Sequence, residues 1–394
     1  VRITDEQRRH RLMVGHRVGV SPSRSTPTVE EIVRGVLVLH ATDPATVYLS
    51  VLARAGSLTI ADVREAMYER RTLVRVLAMR RTLFVADRED LPVIHAGASL
   101  GVARMLRTRL LKQLATLPTD PPVPDPAAWL AHVEEAVGAA LREAGTATGA
   151  QLSEAVPELR TAILPTTDKA WDVRRTVTSP TLALLSAEGR MVRTEPRGSW
   201  TSRHHTWAPM EAWFPSGLPD LPEADARVRL AERWLEAFGP ATGDDLQWWT
   251  GWNKTQTRAA LAGLDLVDVE LSEGHGVALS GTEMPDAPEP GATLLPALDP
   301  TPMGWKHRGW YLGEHRERLF DRMGNIGPTV WWDGRIVGGW AVRPDGEVVY
   351  RLLEDVGADA TAAVDQAAAQ IHARLDGATV TASFPTPLER ELRA

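Results

Sequence analysis

Thr59-Ile60-Ala61-Asp62-Val63 recurs in outline at Thr148-Gly149-Ala150-Gln151-Leu152 and again at Thr242-Gly243-Asp244-Asp245-Leu246. In each, a Thr can cap a short helix whose fourth and fifth residues are polar and then apolar. A second helical pattern follows each one: Leu73, Val74 and Leu77; then Val173 and Val177 with Leu182 and Leu185; then Ala260, Leu261 and Leu264. A β-type run comes next, at Thr82-Leu83-Phe84-Val85, Arg190-Met191-Val192-Arg193 and Leu266-Val267-Asp268-Val269. Helix, turn, helix, strand is the order of a winged-helix module. The spacing is 89 residues from Thr59 to Thr148 and 94 from Thr148 to Thr242. Three occurrences in phase are harder to produce by chance than one.

Proline-rich stretches separate these repeats. They lie at Pro118–Pro126, Pro215–Pro222 and Met284–Pro290, each without helical period. They divide the chain into residues 1–117, 126–214, 222–283 and 291–394. The first three units are read as winged helices. The fourth differs. Ala292–Pro296, Thr329–Trp340 and Gly346–Tyr350 read as strands, and Asp333-Gly334 and Asp345-Gly346 are hairpin turns. A helix over 358–375 and a last strand over Ala378–Ala382 complete it. The expected fold class is α+β: three tandem winged-helix modules, then a small β-rich domain with a mixed sheet or partial barrel and one covering helix.

Length and composition narrow the function classes. A chain of 394 residues exceeds one ordinary core. It has no cysteine, which excludes disulfides and thiolate metal sites and fits a reducing compartment. No apolar run reaches the roughly 20 residues that span a bilayer, and Val1–Glu6 does not resemble a secretory signal. The expectation is a soluble, cytoplasmic monomer that does not engage membranes.

The net charge of −7 conceals an asymmetry. Residues 1–112 hold 19 Lys and Arg against 11 Asp and Glu, a net +8, which leaves −15 on the remainder. A basic front third on an acidic chain is a local footprint for phosphate or an ordinary solvated face. Each expected second helix carries groups suited to DNA. They are Arg70, Arg71, Arg75, Arg80 and Arg81; Lys169, Arg174 and Arg175; and Asn253, Lys254, Gln256 and Arg258. Arg and Lys displace counterions from phosphate, and Asn and Gln can read base edges.

The candidate reactive stretch is Leu37-Val38-Leu39-His40-Ala41-Thr42-Asp43-Pro44. An apolar run ends on two polar side chains spaced i, i+2, and Pro44 suits the first position of a helix. His40 is either a core histidine or a group that holds water or tunes a neighbouring charge. Thr42 or Asp43 is a natural helix cap, and a helix start also suits an oriented water or a phosphate. No metal motif, Walker loop, dinucleotide fingerprint or GxSxG element is present, so no metal and no nucleotide or other cofactor is expected. The 14 tryptophans, among them Trp248, Trp249, Trp305, Trp331 and Trp340, read mainly as core, although aromatics also stack on extruded bases.

These segments together resemble the winged-helix DNA glycosylases of the AlkZ/YcaQ type over nearly the whole chain. The apolar run into His40–Pro44 carries the resemblance. So do Phe238–Gly251, Leu294–Pro300 with Met303-Gly304, Gly324-Asn325, and Pro328–Val330 with Asp333–Gly338. The resemblance implies a monofunctional DNA glycosylase acting on N7-alkylated or genotoxin-modified purines in double-stranded DNA, in DNA repair or self-resistance. Family members carry Gln-apolar-Gln or Gln-apolar-Asp where this chain has His40 and Thr42, and those residues place the hydrolytic water. By that correspondence His40 and Thr42 are expected catalytic residues, and Asp43 beside them is a third because it could supply the negative charge that the chemistry needs. The alternatives are a non-catalytic winged-helix DNA-binding protein, a regulator or lesion shield, and an interaction scaffold.

Overall fold

A computed structural model describes residues 1–19 and 27–394. The chain forms two compact units, each assembled from separated segments. One comprises Val1–Leu73, Phe84–Asp87 and Arg227–Ala394; the other comprises Val74–Leu83 and Arg88–Ala226.

In the first unit the three residues Val38–His40 form a strand, and the helix Pro44–Leu52 follows it. Every residue of that helix is buried, so it is core on all faces. Its few polar groups must therefore be satisfied within the protein. Thr46 Oγ1 donates to the Ala297 carbonyl at 2.9 Å, and Ser50 Oγ donates to Asp299 at 2.7 Å. Just beyond the helix, Arg54 makes a bidentate pair with Asp299, at 2.8 and 2.7 Å, with both side chains essentially inaccessible to solvent. The Arg54 guanidinium and the Ser50 hydroxyl hold the Asp299 carboxyl below its ordinary range, against the cost of burial. Arg54 also donates to the His16 carbonyl at 2.9 Å and to Thr301 Oγ1 at 2.7 Å.

His16 completes this knot. Its Nε2 lies 2.8 Å from the Ala237 carbonyl and its Nδ1 lies 3.0 Å from Thr301 Oγ1. A carbonyl can only accept, so Nε2 carries the proton and Nδ1 accepts from the Thr301 hydroxyl. A second buried carboxylate does comparable work. Asp245 closes the capping box of the helix Gly243–Thr250 through Thr242 and accepts from the Lys306 and His307 amides, both at 2.9 Å. Around these groups runs an aromatic series: Trp234, Phe238, Trp305, Trp310, Tyr311 and Trp331, with successive centroids 4.7–5.9 Å apart. Most of the tryptophans are thus core.

The C-terminal part of this unit holds a four-stranded sheet in which Ala292–Leu295, Thr329–Trp332, Arg335–Val342 and Val348–Leu352 lie in sequence order. It is antiparallel throughout rather than mixed. The hairpin turn at Asp333-Gly334, with positive φ at both residues, dictates that sense for its two strands. The helix Ala358–Leu375 matches expectation, but Ala378–Ala382 is not a strand. Side chains hold its backbone instead: Arg393 donates to the Val380 carbonyl, and Asp43 accepts from the Ser383 amide.

The second unit packs the helix Leu100–Thr116 with the helices Pro126–Ala144 and Thr178–Ala187. Met191–Pro196 and His205–Pro209 form an antiparallel hairpin. Thr59, Thr148 and Thr242 each cap a helix through a complete capping box, as read from the sequence. Two of the expected second helices need correction. Leu73–Ala78 is a strand: Arg71 at φ 55° breaks the preceding helical turn, and Leu-Val-Arg-Val-Leu suits a pleated run as well as a helix. Val173 lies outside any helix. The helix starts at Thr178 because Pro180 lacks an N–H and is tolerated only in a first turn. The third, Lys254–Ala262, is a helix as expected.

Burial, followed by the nearby Arg54 charge, pushes the His16 pKa down from 6.5 to about 4. Below pH 6.5 the unfolded chain therefore binds a proton that the folded chain refuses. Stability should fall as pH drops from 6.5 towards 4, by roughly 3 kcal/mol from this residue. Chemical denaturation at pH 7 and pH 4.5 should show the loss, and His16→Gln should flatten it. An equally steep decline in the variant would contradict the assignment.

Candidate active site

The triplet His40-Ala41-Thr42 sits where the strand Val38–His40 ends. Leu37, immediately before the strand, has φ 63°, a left-handed conformation that costs a non-glycine residue roughly 1–2 kcal/mol. Leu37 is fully buried, so packing holds it there. Such strain is found most often at functional segments. His40 pairs in register with Phe84, and its ring lies 4.7 Å from the Phe84 ring at a tilted angle. It is only 5% exposed. Thr42 is exposed.

Asp43 occupies the capping position of the helix Pro44–Leu52, but its side chain makes no capping bond. Its carboxylate turns to the C-terminal segment. It accepts from the Ser383 amide at 2.8 Å and from the Ser383 hydroxyl. This differs from the capping role open to it in the sequence, and the cause is a partner 340 positions away. The arrangement therefore presents one exposed hydroxyl, with a fixed buried carboxylate next to it and a packed imidazole two residues earlier. The carboxylate can supply a negative field, and the hydroxyl can hold a water.

The residues expected to meet DNA are distributed as follows. In the first unit, Arg70 bonds Glu65 at 2.6 Å and Glu30 at 2.8 Å, so its charge is already balanced. Arg71 is exposed. Asn253 and Gln256 form the capping box of Lys254–Ala262, which commits both side-chain oxygens, while Lys254 and Arg258 are exposed. In the second unit, Arg75 is buried on the strand Leu73–Ala78 rather than displayed on a helix. Arg80 and Arg81 form the turn after it, at φ 53° and 60°. Lys169 lies in a loop near the exposed Trp171, Arg174 bonds Asp120 at 3.1 Å, and Arg175 stands 3.9 Å from Asp172. Arg193, Arg197 and Arg203 lie on the hairpin segment Met191–Pro209, away from the helices on which the sequence places its DNA-facing candidates. A hairpin segment with three Arg and two His against one Glu was the available signal.

The family model described as DNA glycosylase AlkZ-like matches residues 33–374. The chain belongs to the AlkZ-like DNA glycosylase family. Within that family, the Streptomyces sahachiroi DNA glycosylase AlkZ has a similar solved structure, with a TM-score of 0.67 over 96% of this chain and 98% of that chain. The two are 19% identical, so the likeness is one of fold. No curated protein sequence matches the chain. Family membership brings DNA as the partner. Among the described residues no helix is long and apolar enough to cross a membrane.

Ser383→Ala removes one hydrogen bond from a buried carboxylate and should lower stability by roughly 1–2 kcal/mol. Urea denaturation checks this. An unchanged midpoint would mean that the Ser383 hydroxyl does not help to hold Asp43 in solution.

Proposed function

We propose that this chain is a monofunctional DNA glycosylase that hydrolyses the N-glycosidic bond of N7-alkylated or otherwise genotoxin-modified purines in double-stranded DNA. The observation that carries this reading is the family match over residues 33–374, which takes in the whole segment from Val36 to Pro44. In this reading three winged helices present the duplex. Helix, helix and hairpin follow one another at Pro44–Leu52, Ile60–Arg64 and Leu73–Asp87. The same order recurs at Gly149–Ala155, Thr178–Ala187 and Met191–Pro209, and at Gly243–Thr250, Lys254–Ala262 and Leu266–Leu279. The Thr148- and Thr242-capped helices are first of their pairs and the Thr59-capped helix is second, which corrects the in-phase reading of the three threonines. Lys254 and Arg258, exposed on the last of these helices, meet phosphate.

The chemistry asks little of the protein. An N7-alkylpurine is cationic and leaves without a general acid. What it needs is a water near C1′ and negative charge facing an oxocarbenium-like sugar. Thr42, the exposed member, holds the water. Asp43, fixed by Ser383, supplies the field. His40 accepts the proton in its neutral form. DNA repair or self-resistance is the process this activity serves.

A second reading, a DNA-binding protein without base release, is favoured by one observation: His40 is packed on Phe84 rather than open beside Thr42. A base-release assay on duplexes carrying N7-alkylguanine or N3-alkyladenine separates the two, with alkali revealing abasic sites. Release is expected. Thr42→Ala and His40→Ala should each slow it about 10²-fold or more while duplex binding persists, and His40→Gln should retain it. Binding without release from any lesion would favour the second reading. Undiminished release by His40→Ala would remove His40 from the mechanism.

A further inference from the structure

Within the second unit, two adjoining concavities of about 860 and 340 Å³ share Arg193, Trp207 and Ala183 in their walls. Arg197, Arg203, His204 and His205 line the larger, and Arg80 and Arg81 line the smaller. Among the described residues no Asp or Glu lines either one. Arg193 is largely buried and its guanidinium stacks 5.1 Å from the Trp207 ring. Among the described residues it has no carboxylate partner, and its Nε has no hydrogen-bond partner. Among the described residues the Arg197 side chain bonds only the neutral Gln151 side chain, at 3.2 Å. Arg193 and Arg197 differ in this from Arg107, Arg174 and Arg190 of the same unit, each of which has an acidic partner.

The field is strong enough to alter neighbouring groups. Burial and the nearby Arg75 push the Arg193 pKa down to about 10. Burial, then the Arg193 charge, pushes His205 down to about 4. A guanidinium at that value is still charged at neutral pH, and a charge such as that of Arg193, with no carboxylate partner among the described residues, is costly in a hollow lined by low-dielectric protein unless an anion enters. The planar guanidinium fork suits a phosphate's oxygens, and stacking on Trp207 orients it in advance.

We propose that this concavity is a seat for a backbone phosphate of duplex DNA, with Arg193 as its floor and Arg197 and Arg81 at its rims. The proposal rests on the reading of the chain as a protein that acts on DNA. Phosphate contacts position a protein on the duplex without reading sequence. The seat therefore sets register, and loss of it weakens binding to lesion-bearing and intact duplexes alike.

Fluorescence anisotropy of a labelled duplex across a salt series tests it, using the full chain and the variants Arg193→Gln, Arg197→Ala and Arg343→Ala. Each lost phosphate contact reduces the slope of log affinity against log salt by about 1 and weakens binding roughly tenfold near 0.1 M salt. Arg193→Gln and Arg197→Ala are expected to show both changes. Arg343→Ala, an exposed arginine paired with Glu347, is expected to show neither. Should Arg193→Gln melt early, Arg197→Ala decides alone, because its side chain is exposed. An unchanged slope in Arg197→Ala overturns the site and leaves glycosylase activity standing. A duplex bound through this site with no base released has the opposite effect. Absence of any duplex binding by the full chain overturns both.

Discussion

The Arg54–Asp299 pair is the constraint on which the site-bearing unit depends. Arg54 lies just after the helix that opens at Pro44, and Asp299 lies in the Leu294–Pro300 segment. A buried ion pair earns little on its own account, since desolvation offsets most of the attraction. Removing one partner is another matter, costing about 3–5 kcal/mol because the remaining charge is stranded. Here both oxygens of Asp299 are occupied, by Arg54, Ser50 and the Thr301 amide. The pair thus fixes where the Pro44 helix lies against the 297–301 segment, and through it where Thr42 and Asp43 emerge. His16 and Thr301 extend the same network to Ala237.

The separation in sequence between a group and its partner decides what could be read from the sequence and what could not. The capped helices at Thr59, Thr148 and Thr242 were legible because a capping box is closed within four residues. The hairpin at Asp333-Gly334 was legible for the same reason. Leu73–Ala78 was not, because a short apolar run fits both periods and its strand state is decided by distant pairing. Asp43 seemed a cap until Ser383 drew it away. Arg70 and Arg174 looked available to DNA, but Glu30, Glu65 and Asp120 already engage them.

For the candidate site the sequence offered a position and no geometry. Residue types located it at the end of the Leu37–Leu39 run. They did not reveal that Thr42 alone of the three faces solvent, nor that a left-handed Leu37 enters the strand. Where the family has an amide, this chain has an imidazole set against Phe84. The fold around it is nevertheless that of the family along almost its full length. In the proposed mechanism the substitution therefore bears on how the water is held, and the fold shared with the family is unaffected by it.

The most direct measurement is a single-turnover incubation of the chain, in excess, with a duplex carrying one N7-methylguanine, followed by mass spectrometry of the small-molecule fraction and of the strand. The account predicts free N7-methylguanine and a strand left intact at the resulting abasic site. A duplex that is fully bound yet keeps its modified base at every time point would contradict it.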